Sequence, residues 1–341
     1  EQGLSQSSIL SIEQDIRGYM WFGTASGLNR YDGYEFRVYS NNNNDSLTLS
    51  SNEISALYQD SSGYLWIGTT KGVLNKFDPK TEEFIHFDIA STSDWYSSDE
   101  EEYLNYPISF SRNSKSSITS IVEGSQGDLW IGTWGKGIVK FNPSTGKKKY
   151  YYHFRNRKNS LTSNKITKLL IDSRNYLWVA TFGGGLNRIN LKINESPQIE
   201  NMNELFNVDF GNKITSICED SNKDLWIGSY SGNIKLLKYS QAKTSGSRVS
   251  IESFQKFKSL SGDNHLNIMS IVEDLNSNIW IGSYGGGHLS YSLSSEKVTH
   301  FVSDVNDPNS LSDNEIQTLY VDKSGIVWIG TQLGSGINKL E

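Results

Sequence analysis

The sequence predicts an all-β fold, a seven-bladed β-propeller of four-stranded antiparallel blades. The stretch Leu65–Thr69, LWIGT, recurs in close or looser form so that seven copies span the 341 residues. The copies are 45 to 64 residues apart, a period typical of propeller blades. No segment has the 3.6-residue apolar period that a helix in every repeat would require. The repeated tryptophans are Trp21, Trp66, Trp130, Trp178, Trp226, Trp280 and Trp328.

Each repeat begins with an apolar segment that ends near an acid, such as Ile54–Asp60. We interpret it as the innermost strand, buried on both faces between neighbouring blades. A tight turn follows, because Asp can bond the backbone two residues on and Gly accepts positive φ. One structural role in this turn explains six recurring acids: Asp15, Asp60, Asp172, Asp220, Asp274 and Asp322.

The tryptophan strand comes next, and its large ring is expected to pack against the next blade. The glycine two residues later shares its face and allows a close approach. A third strand, such as 185–190 or 137–142, follows a glycine-rich turn, as in 183–185. The fourth, outer strand is aromatic and polar, as in 83–87, 149–154 and 298–301.

We predict one domain, residues 1–341. The seventh blade is expected to have three strands here, with its outer strand lying before residue 1 or after residue 341. The repeats lie at about 9–44, 54–110, 118–160, 166–210, 214–262, 268–310 and 316–341.

Composition argues against several functional classes. The net charge of −6 is unfavourable for a duplex-binding surface, so no nucleic-acid partner is expected. We interpret the basic run 147–149 as a solvated strand end. The lone Cys218, a core position, excludes an internal disulfide, and the five histidines contain no metal-spaced pair. We expect no metal and no cofactor, and His288 is interpreted as a satisfied sheet residue.

The opening Gly3-Leu-Ser-Gln and the repeated pattern I-x-x-[IL]-x-x-D-x-x-G-x-[IL]-W-I-G-T-x-x-G-G resemble the two-component regulator propeller repeat. The resemblance covers the whole chain. It implies the periplasmic sensor region of a hybrid two-component regulator that controls polysaccharide use. In that family a second propeller, a β-sandwich, a membrane helix, a histidine kinase, a receiver and a DNA-binding domain usually follow.

The resemblance therefore implies a fragment of an inner-membrane protein that lies in the periplasm and contacts the membrane only through missing segments. Its expected partners are the rest of its ectodomain, an oligosaccharide ligand and, as an option, a second copy in a homodimer. No signal peptide precedes Glu1, so we expect that it was removed or never cloned.

A ligand face is predicted where each tryptophan strand ends. Four consecutive repeats place an aromatic residue beside a glycine-rich turn: Trp134, Phe182, Tyr230 and Tyr284. We expect a partly exposed arc whose rings stack on sugar faces. The alternative is that these rings pack on the neighbouring connector. The insertion 88–116, with Trp95 and Tyr96, is expected close by as a ligand flap or a dimer contact.

Three functions stay open at this point. The first is a non-enzymatic sensor propeller for an oligosaccharide. The second is a scaffold or dimerisation propeller without its own ligand. The third is a carbohydrate-active propeller enzyme, which would need two carboxyl groups on either side of the scissile bond. We identify no catalytic residue, because the recurring acids share a turn position.

Overall fold

The computed structural model describes residues 3–90, 116–155, 157, 159–192, 198–239, 249–254, 266–332 and 335–340. It contains seven antiparallel sheets, each built from strands consecutive in the chain. Six sheets have four strands and the seventh has three. This confirms the predicted seven-bladed β-propeller and its three-stranded last blade.

The first three sheets consist of β1 (Ile9–Gln14), β2 (Met20–Thr24), β3 (Gly27–Tyr31), β4 (Phe36–Tyr39), β5 (Ile54–Gln59), β6 (Leu65–Thr69), β7 (Val73–Asp78), β8 (Glu83–Asp88), β9 (Ile118–Glu123), β10 (Leu129–Thr133), β11 (Ile138–Phe141) and β12 (Lys148–Tyr151). The fourth sheet consists of β13 (Ile166–Ile171), β14 (Tyr176–Thr181), β15 (Gly185–Asn190) and β16 (Ile199–Asn201). A one-turn helix, α1 (Met202–Phe206), follows it. The last three sheets consist of β17 (Ile214–Glu219), β18 (Leu225–Ser229), β19 (Ile234–Tyr239), β20 (Val249–Ser253), β21 (Asn267–Glu273), β22 (Asn278–Tyr284), β23 (His288–Ser292), β24 (Val298–Phe301), β25 (Ile316–Val321), β26 (Val327–Thr331) and β27 (Ile337–Leu340).

The chain divides into two compact units, Glu1–Leu169 and Leu170–Glu341. Unit 1 contains the first three sheets and the start of β13, and unit 2 contains the remaining strands. The cores lie between successive sheets, where the tryptophan strands pack: Trp66 with Ile118 and Phe141 in unit 1, and Trp226 with Ile268 and Tyr291 in unit 2. Among the described residues, no helix is long and apolar enough to cross a membrane.

The glycine of the tryptophan strand allows the next blade to approach, as predicted. A Cβ atom on Gly228 would lie 2.6 Å from Cγ2 of Ile268, and one on Gly68 would lie 2.5 Å from Cγ2 of Ile118. Both isoleucines stand near the start of the next innermost strand and are completely buried. These contacts are too short for any side chain larger than hydrogen unless the neighbour moves, so the motif sets the spacing between blades.

The recurring acid holds the turn before the tryptophan strand, which confirms its structural role. Oδ1 of Asp172 accepts backbone N–H bonds from Arg174 at 3.0 Å and from Tyr176 at 2.8 Å. Its other oxygen accepts the indole N–H of Trp178 at 2.8 Å. The same acid-to-indole bond, 2.7 to 3.1 Å long, occurs for Trp21, Trp66, Trp226, Trp280 and Trp328.

Hydroxyl side chains add bonds between neighbouring blades that the repeat pattern did not predict. In unit 2, Ser221 bonds both carboxylate oxygens of Glu273 through its backbone N–H and its hydroxyl, each at 2.6 Å. In unit 1, Ser61 bonds Glu123 in the same way at 2.8 Å. The small residues of the innermost strands also bond the next blade; the hydroxyl of Ser55 donates to the carbonyl of Ile118 at 2.7 Å. The small size of these innermost-strand residues was predicted, and their hydroxyl groups also bond neighbouring blades together.

His288 differs from the expected satisfied sheet residue. Its backbone pairs in the sheet, but neither ring nitrogen has a hydrogen-bond partner, and the side chain is buried. The ring stacks on Phe301, with centroids 4.6 Å apart. Burial, with a smaller contribution from His300, lowers the pKa of His288 to about 4. Its ring is therefore neutral at physiological pH. Cys218 is only half-buried and packs against the edge of a core cluster.

Candidate functional site

The four predicted aromatic residues stand where the tryptophan strands end and the chain turns. Trp134 and Phe182 form isolated bridges to Lys165 and Lys213, which precede the next innermost strand, and Tyr284 forms the same bridge to Glu315. The backbone N–H of Tyr230 donates to the carbonyl of Lys213 at 2.8 Å. Each aromatic residue is thus fixed by its backbone beside a connector.

The predicted exposure of these rings is wrong for two of them. Trp134 and Phe182 are each only 3% exposed, whereas Tyr230 and Tyr284 are half-buried. The turns after the two buried rings bond to the next connector, through Gly135 to the carbonyl of Asn164 and through Gly183 to that of Asn212. The turn after the half-buried Tyr284 makes the same bond, through Gly285 to the carbonyl of Asn314, so this bond fixes the connector without by itself deciding burial. Packing is therefore the role that the structure gives to Trp134 and Phe182.

In unit 2, three of the predicted aromatic residues lie with two charged residues in a group that we term the connector cluster: Phe182, Lys213, Tyr230, Tyr284 and Glu315. The rings of Phe182 and Tyr230 meet edge to face at 5.8 Å. The ammonium of Lys213 lies 5.2 Å from the centroid of the Phe182 ring. The buried phenylalanine thus contacts one half-buried tyrosine and one cation.

The polar end of the connector cluster is a carboxyl group beside a phenol. The hydroxyl of Tyr284 donates to the carboxylate of Glu315. Partial burial raises the pKa of both groups, helped at Tyr284 by the negative charge of Glu315 and at Glu315 by that of Asp313. Oε2 of Glu315 is buried and accepts no hydrogen bond. Such an oxygen has unused capacity for a ligand hydroxyl.

The nearby Asp313 has a structural role. Its Oδ1 accepts the backbone N–H of Glu315 at 3.1 Å, and its Oδ2 accepts the hydroxyl of Ser335 at 3.0 Å. Ser51 and Ser163 hold the equivalent backbone N–H groups of Glu53 and Lys165. The residue three positions before the innermost strand therefore shapes the connector in other blades too. This structural role accounts for the presence of Asp313, so no catalytic role for its carboxylate is needed.

The remaining predicted site residues lie elsewhere. Trp95 and Tyr96 fall outside the described residues. Trp134 belongs to unit 1, where the Nζ of nearby Lys136 bonds the carbonyl of Ala90, a described residue at the start of the insertion 88–116. Across the part of the chain that the structure describes, no group of three or more His, Cys, Asp or Glu residues could hold a metal ion.

Sequence reasoning named the aromatic members of the connector cluster but missed Lys213 and Glu315. Both occupy the residue just before an innermost strand, at the position of Glu53 and Lys165. That position is charged in four repeats, and its placement next to the end of a tryptophan strand follows from the propeller topology. This charge recurrence is the signal that could have identified them.

A family model described as two component regulator propeller matches the chain in six segments, at residues 3–26, 48–71, 113–135, 160–183, 210–231 and 310–332. Each segment includes an innermost strand or the approach to one, together with the tryptophan strand after it. The sixth blade, around Trp280, lies outside the matched segments but has the same four-stranded sheet. Six of the seven repeats therefore match this family's model.

Two of the similar proteins have names of signalling proteins. A histidine kinase P4 of Formosa agariphila is 54% identical over 48 residues, which are 14% of this chain and 4% of that protein. The extracellular domain of a hybrid two component system of B. thetaiotaomicron is 24% identical and has a TM-score of 0.72. That match covers 99% of this chain and 40% of the other. The chain thus spans less than half the length of either.

A third similar structure is an enzyme. Virginiamycin B lyase of Staphylococcus aureus is 14% identical, with a TM-score of 0.66, and the match covers 98% of this chain and 97% of the lyase. At this identity the likeness shows the fold alone. A propeller of this size supports more than one kind of function, so the function must be argued from the site.

Proposed function

Because the chain carries two-component regulator propeller repeats, we propose that it is an extracytoplasmic recognition propeller of a two-component sensor and that it binds an oligosaccharide without chemical turnover. It would lie in the periplasm as part of an inner-membrane protein. The histidine kinase that receives its signal would lie in segments outside this sequence. Its further partners would be the rest of that ectodomain, with a second propeller and a β-sandwich, and a second copy in a homodimer.

The observation that carries this proposal is the polar end of the connector cluster. Tyr230 and Tyr284 are half-exposed, and Glu315 has a buried oxygen without a hydrogen-bond partner. Sugars are bound by aromatic faces together with a few fixed acceptors and donors, because their rings have apolar faces and hydroxyl edges. The cluster offers both kinds of group. Hydrolysis of a glycosidic bond needs two carboxyl groups. Here Asp313 is bonded within the connector and Glu315 is bonded by Tyr284, so the cluster favours binding of sugar hydroxyls over hydrolysis.

Thermal shift of the full chain against a panel of neutral oligosaccharides tests this proposal. Binding to the folded state alone raises Tm, and ligand at about 100 times its Kd stabilises by about 2.7 kcal/mol. We expect at least one oligosaccharide to raise Tm, and the rise to shrink in Tyr284→Ala and Glu315→Gln. Products of bond cleavage in the same incubations would instead indicate an enzyme.

A scaffold function is the second candidate, and the burial of Trp134 and Phe182 favours it. Rings that pack under connectors stabilise the blades whether or not a ligand binds. A scaffold would show no Tm change with any oligosaccharide.

A further inference from the structure

A second surface of unusual chemistry lies in unit 1, on β12 and the connector that follows it. Three of its rings form a row in which Tyr150 and Tyr152 stack at 6.1 Å and Tyr152 and Phe154 meet edge to face at 5.8 Å. Tyr150 is 37% exposed and Phe154 is 45% exposed. We term this surface the blade-three strip, residues 147–155 and Arg157. It is an open aromatic row rather than a packed core.

The blade-three strip is also strongly basic. It carries five cations and no carboxylate, on a chain whose net charge is −6. None of the ion pairs between described residues involves any of the five. Two of them lie against rings: Arg157 is 4.8 Å from the centroid of Phe154, and Lys149 is 5.5 Å from that of Tyr151. The five are Lys147, Lys148, Lys149, Arg155 and Arg157.

The sixth blade shows that the fold does not require this chemistry. Its outer strand has the same register, with Tyr151 paired to Ile138 in blade three and Phe301 paired to His288 in blade six. The connectors are also alike, because Asn164 accepts the N–H of His153 and Asn314 accepts that of Ser303, each at 2.7 Å.

At the equivalent positions of blade six the chemistry differs. Residues 297–307 carry one lysine, Lys297, and two acids, Asp304 and Asp307. Val302 and Asp304 replace the rings of Tyr152 and Phe154. The same backbone is therefore built without the basic and aromatic groups, so they are additional to the structural needs of the repeat.

We propose that the blade-three strip binds an acidic polysaccharide, a chain of sugars bearing carboxylate or sulfate groups. The cations, of which Lys148 also donates to the carbonyl of Asp88, attract a polyanion and raise its local concentration. The rings can stack on the faces of successive sugars. They follow one another along the strip, as the sugars follow one another along a linear glycan. The inference takes the sensor role as its setting, but it assigns a second surface, distinct from the connector cluster of unit 2.

An acidic glycan fits this surface better than a lipid bilayer does. Two of the three rings in the row carry hydroxyl groups. Stable insertion into a bilayer needs a broad apolar face, and the strip is one residue wide. Its hydroxyls and cations suit a hydrated polyanion.

Direct binding of the full chain to polygalacturonate oligosaccharides and to dextran sulfate tests the proposal, with neutral dextran as the reference. The charge variant replaces Lys148, Arg155 and Arg157 by Gln, and the ring variant is Phe154→Ser. The matched control replaces Lys192, Lys223 and Lys297 by Gln, which removes the same charge at exposed sites outside the strip. Circular dichroism checks that every variant is folded.

We expect a loss of affinity for polygalacturonate or dextran sulfate of about tenfold or more in the charge variant and severalfold in the ring variant. The control should stay within about twofold, neutral dextran should not bind, and binding should weaken steeply with salt. The proposal is overturned if the strip variants bind these polyanions as the control does, or if the full chain binds neither. It is also overturned if the strip acts only on vesicles of anionic lipid. Tyr284→Ala should bind polyanions as wild type does. Loss of the polyanion proposal would therefore not affect the proposed oligosaccharide site in the connector cluster, and loss of that site would not affect the blade-three strip.

Discussion

The indole Nε1 of the fully buried Trp226 lies 2.9 Å from Oδ2 of Asp220. The acid also accepts the backbone N–H of Asp224 at 2.9 Å. One side chain thus closes the turn and satisfies the only polar atom of the ring that separates two blades. Because a buried N–H without a partner is costly, the turn and the core are coupled.

Trp226→Ala should lower the free energy of unfolding by about 3–5 kcal/mol, because it removes a large buried ring and leaves a cavity. Chemical denaturation measures the loss. A loss below about 1 kcal/mol would mean that the ring does not separate the blades. Tyr34→Ala is the control, since Tyr34 is 96% exposed and its removal should change stability by less than about 0.5 kcal/mol.

Gly124→Asp should stabilise the protein, because the third blade has glycine where six blades have the acid. Its turn is otherwise the same, with the N–H of Gly124 bonded to the carbonyl of Asp128 at 2.8 Å. A Cβ there would lie 3.3 Å from Nε1 of Trp130, so the ring must shift slightly. Relative to Gly124→Ala, which adds the Cβ but no carboxylate, we expect a gain of about 1 kcal/mol from the indole bond. Equal stability of the two variants in denaturation would argue against it.

Gly228→Ala should destabilise by about 1–3 kcal/mol, because the new methyl group would lie 2.6 Å from Ile268 and 3.0 Å from Ile271. The fourth blade has Ala180 at the equivalent position, and Ala180→Gly supplies the comparison. A thermal or chemical denaturation experiment in which Gly228→Ala matches wild type would show that the blades can separate at no cost.

The sequence predicted the fold well because the strongest signals were repeated ones. The recurrence of Trp every 45 to 64 residues gave the seven sheets, and the early stop of the last repeat gave its three strands. The acid-to-indole bond was also recoverable, since the acid precedes Trp by six residues in all six cases. Burial of Trp134 was not, because the half-buried Tyr284 occupies the same position in its repeat. Periodicity identifies a position within a blade, but the exposure of a loop residue is decided by the connector beside it.

His288→Leu should remove a pH dependence of stability. The folded-state pKa is about 4 and the ordinary value is 6.5, so the unfolded chain binds a proton that the folded chain does not between these values. Stability therefore falls as the pH drops below about 6.5 and levels off below about 4, with a total loss of about 3 kcal/mol. Leu or Ile occupies this position in every other blade, so the variant should fold.

Denaturation at pH 7.5 and pH 4.5 measures this effect, with His86→Gln as the control because His86 is exposed and bonded to the carbonyl of Thr48. The loss of stability between the two pH values should shrink in His288→Leu and stay as in wild type in His86→Gln. An unchanged loss in His288→Leu would place the acid sensitivity at carboxyl groups instead.

In the proposed function, the connector cluster recognises an oligosaccharide through Tyr230, Tyr284 and Glu315. The most direct test is calorimetry of the full chain with the oligosaccharide that raises its Tm most, for wild type, Tyr284→Ala, Glu315→Gln and the Tyr34→Ala control. Because Tyr284 is half-buried and bonded to Glu315, Tm without ligand should fall somewhat in Tyr284→Ala, and circular dichroism checks that the variant is folded. We expect the affinity to be at least tenfold weaker in Tyr284→Ala and in Glu315→Gln, and unchanged in Tyr34→Ala. Wild-type affinity in both cluster variants would contradict it and leave this propeller as a scaffold.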